Sequence, residues 1–453
     1  MNITKKEKRY IAGIVMFYGI YDFSVLLSGM IGQKVHIVLG FISLAVFFIL
    51  AVKGMHMKML NALLFLLAVS INSSYTSIGS IPYSRLPLTW FFVASVGLIF
   101  LCYIKVRKNL AFFSAIFFCS FFVVSLLVTP PLEFANALNQ MVNILVFLLL
   151  LSCVGKLKDI YNARINSSMM LLYLGSVFVF SLMIIVQKYL YESKGISVGH
   201  IGRFAKRISY AATFYDFSFA TLYVASGFCL LLAGICYKKR LLSWKTSLIF
   251  MVIYLYAILL INARTGMVAL VIGTFLMFNS LVIRQKRLKI LLIEICAVPI
   301  VLVLLVMMST RRADMFGGSG RLGGYILGLQ CFARHFLFGS GFGSRNYVEL
   351  MHTTIPHNFF IQYLAQFGMI GFLIIFMGFF PVVKKNLLDR NSVGKWALVT
   401  IIVGAMFIPD IINSHFLSVI LLVAVCETYK VSQSPFKVSG GKHKSKKIVC
   451  KST

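Results

Sequence analysis

Fourteen apolar runs, most of them close to the roughly 20 residues an α-helix needs to cross a hydrocarbon core, are threaded on short basic linkers along this chain of 453 residues. They cover 10–31, 35–52, 59–73, 87–104, 110–128, 134–154, 168–187, 213–236, 246–262, 266–283, 290–308, 357–383, 396–412 and 415–430. Two neighbouring pairs, 246–262/266–283 and 396–412/415–430, are so closely spaced that the expected count is 12–14 transmembrane helices. A backbone in lipid must satisfy its own hydrogen bonds, so runs of this kind fold as helices. With 60% of its residues hydrophobic and only 12% charged, the chain is too apolar for a soluble globule. Its 44 Lys and Arg against 12 Asp and Glu do not mark a nucleic-acid binder either, because they lie between long Phe, Leu, Ile and Val runs. The expectation is an all-α, polytopic integral membrane protein. A single helical domain would occupy 1–430, with a long outer loop carrying short helices over 309–356. A basic, disordered cytoplasmic tail would follow over 431–453.

The positive-inside rule sets the orientation. With the N-terminus in the cytoplasm, 31 of the 44 basic residues fall on the inner side and every inner linker is basic. Both termini are then expected inside. Of the 13 outer basic residues, ten gather in two segments. Segment 188–212 holds Lys188, Lys194, Arg203, Lys206 and Arg207, and segment 309–356 holds Arg311, Arg312, Arg321, Arg334 and Arg345. The bilayer does not explain cations there, so they mark where a function is expected.

Three constellations carry possible chemistry. The long outer loop leads through Gly317–Arg321 and an amphipathic stretch, Leu322–Phe338, to His357-Asn358 at the mouth of a span. His335 lies in the same loop as a candidate lining residue. Eleven helical steps of about 100° return to within about 20° of the start, so Gly368 is expected on the His357 face. Gly371 lies near the same stripe, where small residues let another helix approach below the imidazole. The second constellation is Asn262-Ala263-Arg264-Thr265-Gly266, whose guanidinium suits a diphosphate if it points outward beside the long loop; read alone, Arg264 is a helix-end residue snorkelling to the interface. The third is Arg203, Lys206 and Arg207 followed by Asp216. The cations form a basic interfacial cluster that suits lipid headgroups, and the carboxylate suits either a site or a helix N-terminus. Nine Cys without C-x-x-C spacing predict no disulfide framework. The absence of Asp-x-Asp or EF-hand spacing predicts no metal, and no cofactor is expected.

In order and spacing these segments resemble the O-antigen polymerase/O-antigen ligase superfamily. "NARTGMVALVIGTFL" is similar to its Ser-Arg-x-Ala helix, with Ala263 in place of Ser. "SGRLGGYILGLQCFARHFLFGSGFGS" is similar to its Gly-Arg helix and glycine turn, with Phe336 in place of Pro. "HNFFIQYLAQFGMIG" resembles its His-Asn segment with two glycines, and "RISYAATFYDFSFA" a degenerate "GxFxDPNxxA" with Phe217 and Ser218 in place of Pro-Asn. The resemblance is strongest over about 260–375. It implies a GT-C-like membrane glycosyltransferase of the bacterial plasma (inner) membrane. The donor would be an undecaprenyl-diphosphate-linked glycan at the outer face, transferred with inversion to a hydroxyl of a glycan acceptor. Catalytic roles then fall to His357, Arg321 and Arg264. Substrate binding falls to Arg207, Lys206, Arg203, Asn358, Asp216, His335 and Arg311.

A repeat-unit polymerase for O-antigen, capsule or exopolysaccharide is the leading expectation. A ligase that moves polymer to lipid A-core is the alternative within the class, and a lipid-linked oligosaccharide flippase the alternative outside it. A flippase would line a central cavity with charge, whereas here the midspan regions are nearly free of it. Expected partners are membrane lipids, a chain-length regulator and a flippase; no nucleic acid is expected.

Overall fold

The structure is a computed structural model that describes residues 3–31, 33–70, 90–103, 109–157, 163–204, 207–214, 216–237, 239, 241–285, 321–389 and 392–412. Of the fourteen apolar runs, twelve fall wholly or in part on described residues and each contains a helix there; 290–308 and 415–430 lie outside them. In chain order the elements are α1 (Lys5–Leu26), α2 (Ser28–Ile31), α3 (Gln33–Phe48) with a π-helical end at Ile49–Gly54, α4 (Met59–Val69), α5 (Trp90–Tyr103), α6 (Leu110–Val128), α7 (Phe134–Leu157) and α8 (Ala163–Lys194). Then come β1 (His200–Phe204), β2 (Arg207–Ala212), α9 (Phe217–Cys236), α10 (Trp244–Ile261), α11 (Arg264–Gln285), α12 (Arg321–Arg334), α13 (Ser344–Met351), α14 (Phe359–Leu388) and α15 (Gly394–Ala405). Among the described residues eight helices are long and apolar enough to cross a membrane, and three more are shorter apolar helices. The all-α multi-pass expectation holds.

The core is built on α8 and α9, the most buried of the long helices. Several interior polar groups of α8–α10 are hydrogen-bonded, as most buried groups are. Tyr173 and Ser226 share a hydrogen bond, Ser176 and Tyr223 are 2.7 Å apart, and the Tyr254 hydroxyl donates to the Leu174 carbonyl at 2.7 Å. The closely spaced runs on either side of residue 263 are two helices. Asn262 takes the left-handed conformation (φ 57°) and its N–H donates to the Ile258 carbonyl, ending α10 before Arg264 starts α11.

Linkers that the charge rule assigns to one side meet at one end of the bundle. There Thr4 and Glu7 cap α1 reciprocally, Glu7 pairs with Arg164, and Arg164 Nη2 donates to the Met55 carbonyl at 2.8 Å. At the same end Asn109 Nδ2 donates to the Ser152 carbonyl at 2.7 Å, and Trp396 Nε1 donates to the Tyr237 hydroxyl at 3.1 Å. The opposite end carries segments 129–133, 188–204, 207–214, 262–265, 321–358 and 406–410, with Asp216.

Segment 188–212, expected only as a basic loop, contains the antiparallel hairpin β1–β2, with Gly202 opposite Ser209 and Phe204 opposite Arg207. Its anchor is Gln187, fully buried in α8. The Gln187 amide donates to the Val198 carbonyl (2.6 Å) and the His200 carbonyl (3.1 Å), and its oxygen accepts from Ala212 N (2.8 Å). Gln187→Ala leaves three backbone groups short of a partner. The expected cost is about 1–3 kcal/mol, read as a lower unfolding temperature in detergent with faster tryptic cleavage at Arg203 and Arg207.

Candidate functional site

The mouth of α14 is held from three directions. Asn358 is its N-cap: its Oδ1 accepts from Phe360 N (3.0 Å) and Ile361 N (3.2 Å). The other side of the same amide donates to the Met406 carbonyl (3.1 Å), tying the mouth to the end of α15. From α12, the Tyr325 hydroxyl donates to the His357 carbonyl at 3.0 Å. His357 is therefore fixed through its backbone while its imidazole stays half-buried.

The electrostatics around that imidazole name its neighbours. Burial, and then the Arg321 guanidinium, hold the His357 pKa below the usual histidine value, while Asp216 pulls it the other way. Arg321 is the first residue of α12, one turn before Tyr325. Asp216 caps α9, accepting from Ser218 N at 2.6 Å, so it serves the helix end and the field at His357 together. Arg264, exposed at the start of α11, comes to the same end because Gly266 lies directly on α9. A Cβ there would stand 2.4 Å from Thr221 Cγ2, a little over one turn into α9 from Asp216. The structure thus brings His357, Arg321, Asp216, Asn358 and Arg264 to one end of the bundle.

Other candidates stand elsewhere. Arg203 packs its guanidinium over the Tyr191 ring, 5.2 Å from the centroid, on the hairpin side. Arg207 pairs with Phe204 in the ladder through its backbone. Lys206, Arg311 and the Arg207 side chain lie outside the described residues. His335 follows the last residue of α12, roughly 20 Å of helix away from Arg321, and its carbonyl accepts from Gly339 N. Arg345 pairs with Glu133 before α7 and with Glu349 (3.7 Å) on its own helix. Among the described residues no group of three His, Cys, Asp or Glu side chains gathers to hold a metal ion.

The expected glycine stripe below His357 is corrected by the backbone. Gly368 has φ 61° and ψ −166°, which breaks α14 into two helices, so a single 100° phase does not run from His357 to Gly371. The element that approaches is a turn, not a helix. Ser340 N and Gly341 N donate to the Ala365 and Gln366 carbonyls (2.8 and 2.9 Å). Met369 N and Ile370 N donate to the Phe336 and Leu337 carbonyls (2.8 and 3.2 Å). Four backbone groups around the break thus find partners in the turn after α12, as buried peptide groups require. Gly371 does admit a helix, because a Cβ there would stand 2.7 Å from the Phe121 ring of α6.

Polar residues not singled out in the sequence hold this assembly. Gln366 Oε1 accepts from Gln140 (3.1 Å) and Gln362 (2.9 Å), and its amide donates to the Gly343 carbonyl (3.2 Å). Gln140 also accepts from Gly343 N (2.8 Å). The chain of contacts runs on from Gln362 to Asp410 N (2.6 Å), and Tyr363 donates to Asp410 Oδ1 (3.0 Å). Asn346 joins Leu132 N, the Pro130 carbonyl and the Ser340 carbonyl. The available signal was the pair Gln362/Gln366 inside an apolar run, since polar side chains at such depth need partners.

No curated protein matches the chain. The family model described as O-Antigen ligase matches residues 249–376, a stretch that holds Arg264, Arg321, His335, His357, Asn358 and the break at Gly368. Over those residues this multi-pass membrane protein is similar to the O-antigen ligase/polymerase superfamily.

Proposed function

We propose that the protein is a glycosyltransferase joining undecaprenyl-diphosphate-linked repeat units into O-antigen, capsule or exopolysaccharide at the outer face of the bacterial plasma membrane, with its basic end in the cytoplasm. The observation that carries this reading is the convergence of His357, Arg321 and Asp216 at the capped mouth of α14, within the matched domain. A near-neutral imidazole is suited to take a hydroxyl proton, and a pKa held below the usual value keeps it unprotonated to lower pH. In the proposed step the acceptor O–H gives its proton to His357. The oxygen attacks C1 of the donor sugar, the C1–O bond to the diphosphate breaks, and its electron pair leaves with undecaprenyl diphosphate. Arg321 and Arg264 stabilise the charge growing on that leaving group. Asp216 steadies the imidazolium that forms, and His357 then releases the proton to water. Asn358 fixes the helix mouth on which the imidazole is carried.

Transfer to lipid A-core is the second reading, favoured by the description of the matched family as ligase. Incubation of the full chain with lipid-linked repeat units from the producing cell separates the two. A polymerase gives a ladder of longer lipid-linked chains, and EDTA leaves the ladder intact. Product formed only on added lipid A-core establishes the ligase, and no product on either acceptor rejects both.

A further inference from the structure

A cavity of about 510 Å³ opens between the end of α1 with α2 and the strands' flanking residues, within the size range of small-ligand sites. Ser28, Ser197, His200 and Thr213 present hydroxyl and imidazole groups to it, and Leu26 and Val198 give it an apolar side. None of the described residues lining it is Asp, Glu, Lys or Arg.

Its walls are built rather than draped. Buried Gln187 bonds residues 198, 200 and 212 at once. Ala212 is held at φ 47°, and Gly199 (φ 61°) lies so close that a Cβ would stand 2.4 Å from the Ala212 carbonyl oxygen. The His200 ring packs on Phe217 with centroids 4.8 Å apart. Phe217 follows Asp216, the carboxylate that acts on His357. The cavity therefore lies beside the N-terminus of α9 that Asp216 caps, and neither Arg264 nor Arg321 lines it.

Among the described lining residues a diphosphate finds no counter-charge. A neutral ligand with hydroxyls on its edge and C–H groups on its face does fit, and a pyranose is that ligand. We propose that this cavity holds a sugar of the acceptor glycan, a step that rests on the glycosyltransferase reading above. The cationic arginines at α11 and α12 are then left to the donor diphosphate.

The test uses the purified full chain in detergent. The probe is the repeat-unit oligosaccharide released by mild acid from the producing cell's lipid-linked pool, with binding read by saturation-transfer NMR. Gly29 has no atoms within 4 Å of an added Cβ, and Ser197 is exposed, so Gly29→Trp and Ser197→Trp fill the cavity from its rim. Each is expected to weaken oligosaccharide binding at least tenfold. Binding of sugar-free undecaprenyl diphosphate and the unfolding temperature should not change. Wild-type binding retained in both variants overturns the proposal, and so does an equal loss of undecaprenyl diphosphate binding. Absence of oligosaccharide binding in the wild type also overturns it, whatever the turnover. Binding that meets the expectation in a protein that makes no glycosidic product leaves the cavity as a saccharide site and rejects the glycosyltransferase reading instead.

Discussion

His357→Ala is expected to lower glycosyl transfer by about 10²–10⁴-fold, the range for loss of a positioned general base, while the protein still inserts and folds. Folding should survive because the contacts that fix this segment run through the His357 carbonyl and the Asn358 side chain, which the substitution leaves in place. The stronger check is the pH profile. The neutral imidazole accepts the proton, so kcat/KM falls as pH drops through the His357 pKa, which lies below the usual histidine value. Arg321 lowers that pKa and Asp216 raises it. Arg321→Gln should therefore move the acid limb to higher pH, and Asp216→Asn should move it to lower pH, apart from any change in maximal rate. An acid limb that stays put in both variants would show that His357 is not the titrating base.

Gly368→Ala is expected to unfold the outer half of the site. The backbone there (φ 61°, ψ −166°) lies in a region essentially reserved for glycine, costing a side chain about 1–3 kcal/mol. A Cβ would also stand 2.4 Å from the Leu337 carbonyl oxygen, a backbone atom that cannot swing aside. The variant should show a clearly lower unfolding temperature in detergent and little transfer. Gly324→Ala is the matched control: it lies in α12 with nothing within 4 Å of the added methyl. It should leave the protein as stable as before or slightly more so, since alanine is the better helix former. Equal behaviour of the two variants would refute the crossing of backbones at Gly368.

What was legible in the sequence follows from physical range. Spans are local: an apolar run in lipid has to be a helix, so α6, Leu110–Val128, begins and ends where its run does. The sequence put His357 and Arg321 at the two ends of one outer segment, but their joint role was legible only through the resemblance, because periodicity says nothing across the 35 residues between them. The hairpin 200–212 was not legible, since its anchor, Gln187, looks like one polar residue near the end of an apolar run. The break at Gly368 was hidden for a related reason. Glycine in an apolar helix reads as a close-packing site, and only the donors and acceptors of 336–341, distant in the chain, make a positive φ tolerable there. Asp216 was read as either a cap or a site residue, and it caps α9 while acting on His357.

The break has a mechanical consequence. A continuous helix transmits any change of tilt along its full length, and tilt is how a long span adapts to bilayer thickness. In α14 the ladder is spliced at Gly368, and both halves are bonded to the turn 336–341. A thicker or thinner membrane acting on the half that ends at Leu388 therefore loads that joint before it reaches His357. The end of the helix that carries the imidazole is expected to keep its bonds to Tyr325 and Met406 when the membrane thickness is changed, read as unchanged hydrogen exchange at residues 357–361 in bilayers of different chain length.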